Sequence, residues 1–172
     1  MLAAMAPASA AAQGGFYVGA GVGPAVGIDD WPTQFRIEEE IGFYVDEQPS
    51  GFFFAFTPSQ SFGADYWALT FAARFGYMLD IYRGRDIGFQ LGPTVTVPGI
   101  GLGSFFDSMR DVDVYFHFSV ALALRLMLDS GKIAIYVRPV DFEFGFGDGH
   151  LPFSDDSVAR YVLVAGVQLH VF

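Results

Sequence analysis

His117 and Ser119 stand two residues apart, and in an extended strand that spacing puts both side chains on one face. The tight turn Asp129-Ser130-Gly131-Lys132 folds the chain back, and one extra residue at Pro139 then brings Glu143 opposite Ser119. A serine, an imidazole and a carboxylate are the parts of a nucleophilic acyl-transfer site: the imidazole takes the hydroxyl proton and the acid orients the imidazole. The same alternation points all three side chains inward, so structural hydrogen bonding is the preferred reading of the trio.

Charges of both signs share that inward face, at Arg74, Asp80, Arg125, Arg138, Asp141, Glu143 and Arg160. A lone buried charge costs several kcal/mol, so these groups are expected to pair as a network that plugs the interior. An ion pathway is the sharper alternative, but a closed sheet of about eight strands leaves an interior that side chains fill. Asp148, His150, Asp155 and Asp156 offer oxygen and nitrogen donors near the end of the chain, yet their spacing matches no cation loop, and solvated loop charge is the simpler reading. Gly19, Gly21 and Gly23 alternate inside a strand and form no phosphate cradle. There is no cysteine, which removes thiolate metal sites, disulfides and cysteine nucleophiles. No metal and no cofactor are expected.

What positions these residues is a set of long alternating strands. Trp67, Leu69, Phe71, Ala73, Phe75, Tyr77, Leu79 and Ile81 form an apolar face, opposite Ala68, Thr70, Ala72, Arg74, Gly76, Met78 and Asp80. The same pattern runs through Ile87–Val97, Val114–Leu126 and Tyr161–Val171, and opens at Phe16–Gly23. Each run approaches or exceeds the ~9–11 residues with which a tilted strand crosses a bilayer. Hydrophobic residues make up 52% of the chain and charged residues only 16%, yet no apolar run is long enough for a spanning helix. With 20 Phe and 21 Gly as well, the composition is that of strands exposing an apolar face. The net charge of −10 argues against nucleic acid as a partner.

Tight turns at 82–86 and 129–132 contrast with longer connections at 99–111 and 145–157, the asymmetry of an outer-membrane barrel whose long loops face outside. Arg83, Arg85 and Lys132 mark the short-turn side; Asp107, Asp111, Asp148, Asp155 and Asp156 mark the loop side. Between Ile28 and Ser61 the pattern weakens. Phe52–Phe56 reads as a strand, and 35–45 as another, with Arg36, Glu38 and Glu40 inward and Ile37, Ile41 and Phe43 outward. Glu39 then faces lipid, at a cost unless it lies near an interface. The rival for 35–45 is a short loop helix; the strand gives an even count of eight. Residues 1–13 are Ala-rich, and Ala8-Ser9-Ala10 suits a leader cleavage site, although the first basic residue is Arg36. Residues 1–13 are therefore read as the remnant of a signal peptide or a disordered terminus, and 14–172 as one barrel domain.

Gly15-Phe16-Tyr17-Val18-Gly19-Ala20-Gly21-Val22-Gly23 resembles the first strand of small OmpA-type and opacity-type outer-membrane barrels, and the terminal Phe172 resembles their last residue. In that pattern the terminal Phe shares a face with apolar residues, whereas here the positions preceding it in step are His170, Gln168 and Gly166. The His-x-Ser pair is also similar to that of small outer-membrane lipid A deacylases, although Val120 follows Ser119 where Asn is expected. The resemblance implies an all-β, up-and-down antiparallel transmembrane barrel in the outer membrane of a Gram-negative-type bacterium. Its role is read as structural or loop-presenting and non-enzymatic. Its partners are the bilayer and any protein met through the external loops or the barrel wall. The alternatives are a lipid A acyl-ester hydrolase and a soluble lipocalin-like carrier.

Overall fold

Alternation of buried and exposed positions organises the described residues into strands. The computed structural model describes residues 15–28, 33–45, 49–63, 66–105, 112–147 and 157–171. The strands are β1 (Phe16–Gly27), β2 (Gln34–Tyr44), β3 (Gly51–Gly63), β4 (Tyr66–Arg83), β5 (Ile87–Phe105), β6 (Asp113–Leu128), β7 (Ile133–Gly147), β8 (Ser157–Val162) and β9 (Val164–Val171). Each pairs antiparallel with its successor from β1 to β8, and β8 and β9 are two lengths of one last strand interrupted at Leu163. Both lengths pair with β1 on one side and β7 on the other, which closes an eight-stranded up-and-down barrel.

Register fixes the shape of that barrel. Opposed partners lead from Phe16 through Phe43, Phe54, Phe75, Val95, Val120, Phe142 and Tyr161 back to β1 at Val26, ten residues beyond the start. A stagger of that size over eight strands tilts them by about 40° from the barrel axis. Each step to the next strand therefore climbs toward the rim where β1 ends.

Two prolines punctuate the alternation. In β7, Ala134, Tyr136 and Arg138 point inward below Pro139, and Asp141, Glu143 and Gly145 point inward above it. The pairing of β7 with β6 shifts by one residue at that place. In β5, Val97 and Pro98 are both exposed, and the inward series passes from Thr94 and Thr96 to Gly99 and Gly101. Proline suits both places because a bulge leaves an N–H without a ladder partner. The turn after β6 holds Asp129 and Ser130 at positive φ, 49° and 54°, and Gly131 at 93°.

Several expectations change in detail. β5 runs to Phe105 and β7 to Gly147, so much of 99–111 and the start of 145–157 are strand rather than loop. Alternation stays favourable there because Gly99, Gly101 and Gly103 leave room for the rings of His117, Tyr115 and Tyr66. Only residues 64 and 65 separate β3 from β4 on the rim that also carries the longer connections. The doubtful 35–45 segment is strand β2, with Glu39 outward. The faces do not exchange at the end of the chain: Arg160, Val162, Val164, Gln168 and His170 are all buried. The expectations for residues 1–13, for Asp107, Asp111, Asp148, His150, Asp155 and Asp156, and for Phe172 lie outside the described residues.

The seam between β1 and the last strand depends on Gly23. The N–H of Leu163 donates to the Pro24 carbonyl at 3.0 Å, and a Cβ on Gly23 would lie 1.7 Å from the Leu163 carbonyl oxygen. Gly23→Ala is expected to push the two strands apart and destabilise the barrel by about 1–3 kcal/mol. Urea unfolding in detergent measures it, with Ala20→Gly on the outer face as a reference.

Candidate functional site

The lumen is where the chemistry-bearing side chains meet, and β2 is its spine. Because every second residue of β2 faces inward, Gln34, Arg36, Glu38 and Glu40 form four successive rungs, each at most 3% exposed. The top rung joins β2 to β7 and β8. Arg36 donates to both carboxylate oxygens of Glu143, at 2.8 and 3.2 Å, and Arg160 donates to Glu143 and, at 2.8 Å, to the Gln34 side chain. One rung lower, Glu38 accepts two hydrogen bonds from Arg74 at 2.7 and 3.1 Å and two from Arg138 at 2.8 and 2.7 Å. Asp141 closes this layer, 3.1 Å from Nε of Arg138. Below it, Glu40 accepts from Tyr17 and from Gln168, both at 2.8 Å.

Arg125 is held differently. It donates to the Tyr44 hydroxyl, and its guanidinium carbon lies 4.8 Å from the ring centre of Phe53 and 5.6 Å from that of Tyr44. The quadrupoles of these rings and of Tyr17 stabilise the cation in place of a carboxylate. His170 stacks on Tyr17 and Tyr44 beneath it. Among the described residues the interior thus holds five arginines and four carboxylates. The described interior therefore carries none of the acidic surplus behind the net charge of −10.

Of the charges read from the sequence, Arg74, Arg138, Asp141, Glu143 and Arg160 come together, and Arg125 sits below them in its aromatic cage. Asp80 does not join them. It has the inward parity but lies at the short-turn mouth, where it pairs with Arg83 and accepts from Gln90 at 2.9 Å. The residues that sequence reasoning left out of the network are Gln34, Arg36, Glu38 and Glu40, whose signal was the polar period of two inside the doubtful segment, and the tyrosines 17 and 44.

Ser119 and Glu143 are directly opposed in the β6–β7 ladder. His117 Nδ1 nevertheless lies 3.8 Å from Glu143 Oε1, beyond hydrogen-bond reach. Neither imidazole nitrogen has a hydrogen-bond partner, so no bond links His117 to Ser119. Glu143 is already saturated by two guanidinium groups. The trio borders a cavity of about 10 Å³ also lined by Arg36, Thr57 and Thr96, room for about one water molecule.

A closed eight-stranded sheet with a filled, charged interior defines the class: this is the fold of the small β-barrels of the bacterial outer membrane. No protein-family model matches the chain, and no curated protein matches it. Among solved structures it is similar to Neisserial surface protein A (NspA), with 13% identity and a TM-score of 0.55 over 91% of this chain and 99% of that one. It is equally similar to the N-terminal β-barrel domain of Pseudomonas aeruginosa OprF, with 8% identity and a TM-score of 0.55 over 92% of this chain and 100% of that one. The outer-membrane enzyme PagL aligns more loosely, at 15% identity and a TM-score of 0.45 over 87% of this chain and 97% of that one.

Removing Glu38 takes four hydrogen bonds from two facing guanidinium groups, leaving Arg138 with Asp141 at 3.1 Å and Arg74 with Glu40 at 3.8 Å. Glu38→Ala is expected to cost about 3–5 kcal/mol. Ser61→Ala, which deletes one 3.3 Å hydrogen bond from Arg36, should cost about 1 kcal/mol. Denaturant titration of both variants in micelles tests the ranking.

Proposed function

We propose that this chain spans the outer membrane as a β-barrel whose filled lumen makes it a structural, loop-presenting module rather than a channel. The observation that carries the reading is the polarity of the wall. Side chains such as Phe52 and Phe116 are 63% and 60% exposed, and their kind continues around every strand, while five arginines and four carboxylates lie inside. A barrel in water would have these faces exchanged. Phe16, Phe43, Phe52 and Tyr77 form an aromatic tier toward the short turns, and Phe35, Phe62, Phe116 and Phe146 another toward the opposite rim. Aliphatic residues such as Val22, Ile41, Val95 and Leu122 lie between them, the order of a lipid-facing band between two interfacial girdles.

A lipocalin-like carrier requires an apolar pocket, whereas this interior is occupied by paired charges. Acyl-ester hydrolysis requires a serine that its base can reach and an acyl chain that reaches the serine. Ser119 and His117 are 3% and 5% exposed and lie within the lumen, on the side of the wall away from lipid. The favoured role is therefore display of the acidic loops, with contact to another protein through them as its outlet.

Refolding tests the reading. A strand-rich species that migrates differently before and after boiling is expected in detergent micelles and not in plain buffer; folding in buffer alone would contradict a membrane barrel. Ser119→Ala is expected to leave both the barrel and the acylation of added lipid A unchanged. Loss of a deacylated product in that variant would restore the enzyme reading.

A further inference from the structure

The outer wall carries two polar exceptions. Between the rims, the outward positions of the described strands hold hydrocarbon or aromatic side chains, except Glu39 in β2 and Gln60 in β3. Both are exposed, and neither has a hydrogen bond or ion pair among the described residues. Glu39 lies between Ile37 and Ile41, halfway along β2. Its ladder partner in β1 is Ala20. Pro58, beside the Ser59 that pairs with Glu38, occupies the facing place in β3. At mid-wall such a group is costly in hydrocarbon, which makes it a functional feature by default.

Register places the two in line. Gln60 pairs with Ile37, two residues from Glu39 toward the rim where β2 begins. Moving one strand onward climbs about 3 Å, and two residues along the strand add about 5 Å, while the sideways components nearly cancel at a tilt of about 40°. Gln60 therefore stands almost directly above Glu39. By the same step Val18, the β1 partner of Ile41, stands directly below it.

A two-fold axis normal to a membrane carries such a vertical line on one copy to the same line on the other at unchanged heights, so each residue faces its own counterpart. We infer that this line is the contact between two copies of the chain, side by side in the bilayer, with Glu39 meeting Glu39 and Gln60 meeting Gln60. The chemistry is self-complementary: a carboxyl group in its acid form and a primary amide each carry a donor beside an acceptor, so each joins its own copy by two reciprocal hydrogen bonds. One symmetry operation satisfies both polar exceptions at once, as an isologous interface requires. The small Ala20 and the flat Pro58 beside Glu39 allow close approach, the arrangement by which polar groups join membrane segments. The exposed cations among the described residues, Arg83, Arg85 and Lys132, lie at the short turns and none at the level of Glu39, so pairing of like with like is the match this wall provides.

The inference rests on the membrane reading, and the test separates the two. The chain lacks cysteine, so Val18→Cys reports on the axis and Val120→Cys, on β6, serves as the control. In phosphatidylcholine vesicles, oxidation is expected to cross-link the Val18→Cys chain into a dimer and to leave the Val120→Cys chain monomeric. Adding Glu39→Leu or Gln60→Leu to the Val18→Cys chain should lower cross-linking at least about tenfold. Glu39→Gln, which keeps a self-complementary group, should retain it. Gel shift before and after boiling reports folding of every variant. An inserted, heat-modifiable chain that stays monomeric, or cross-linking indifferent to Glu39→Leu, overturns the dimer alone. Failure of the unsubstituted chain to insert overturns the bilayer reading and the dimer with it.

Discussion

Glu38 is held between Arg74 and Arg138 by four hydrogen bonds in the middle of the lumen, and most of the structure follows from the need to satisfy that layer. In a closed barrel of eight strands the interior is too narrow to hydrate a charge fully, so each ion must meet a counter-ion or an aromatic face. β2 answers that need from one side with Arg36, Glu38 and Glu40, and β4, β7 and β8 answer it from the others with Arg74, Arg138, Glu143 and Arg160. The bridges from Arg36 to Glu143 and from Glu38 to Arg74 and Arg138 tie β2 to β7 and β4, strands with which it shares no ladder. The hydrogen-bonded sheet closes the wall; the ion pairs brace it across the middle.

Matching those ions depends on where the strands bulge. Without the extra residue at Pro139, the upper half of β7 would turn Asp141 and Glu143 toward the wall's outer face and Val140 and Phe142 inward. Arg36 and Arg160 would then lose their acceptor. The bulge at Val97 and Pro98 does the same service for β5, keeping Gly99 and Gly101 under the rings of His117 and Tyr115. The geometry that places Glu143 opposite Ser119 thus serves the ion pairs. It leaves the serine and histidine as neighbours of a saturated carboxylate, without a bond between them.

Much of this was legible from alternation alone. The strands around β4 and β6, the inward set of charges and the Pro139 bulge are all visible as a period of two and one break in it. β2 was harder, because Glu38, Glu39 and Glu40 in succession put a carboxyl on both faces, and a helix accommodates that run as readily as a strand. The residue that obscured the pattern, Glu39, is the one whose position on the wall has the most specific consequence. Asp80 misled for a different reason: parity tells which face a side chain takes but not how deep it sits, and at the mouth of the barrel an inward residue is still wet. The aromatic cage around Arg125 was illegible because its rings come from β1, β2 and β3, which are distant in sequence from β6.

Apart from Glu39 and Gln60, the wall between the rims presents apolar side chains to lipid and keeps its charges inward. Spin labels placed one at a time at residues 114–128 of β6 test it most directly in reconstituted vesicles. The account predicts an alternating profile: labels at the even positions from Val114 to Leu126 collide with oxygen dissolved in the bilayer, and those at odd positions collide with neither oxygen nor a water-soluble relaxer. Strong collision of the even positions with the water-soluble relaxer would contradict it, and would mean that these apolar faces do not rest against lipid.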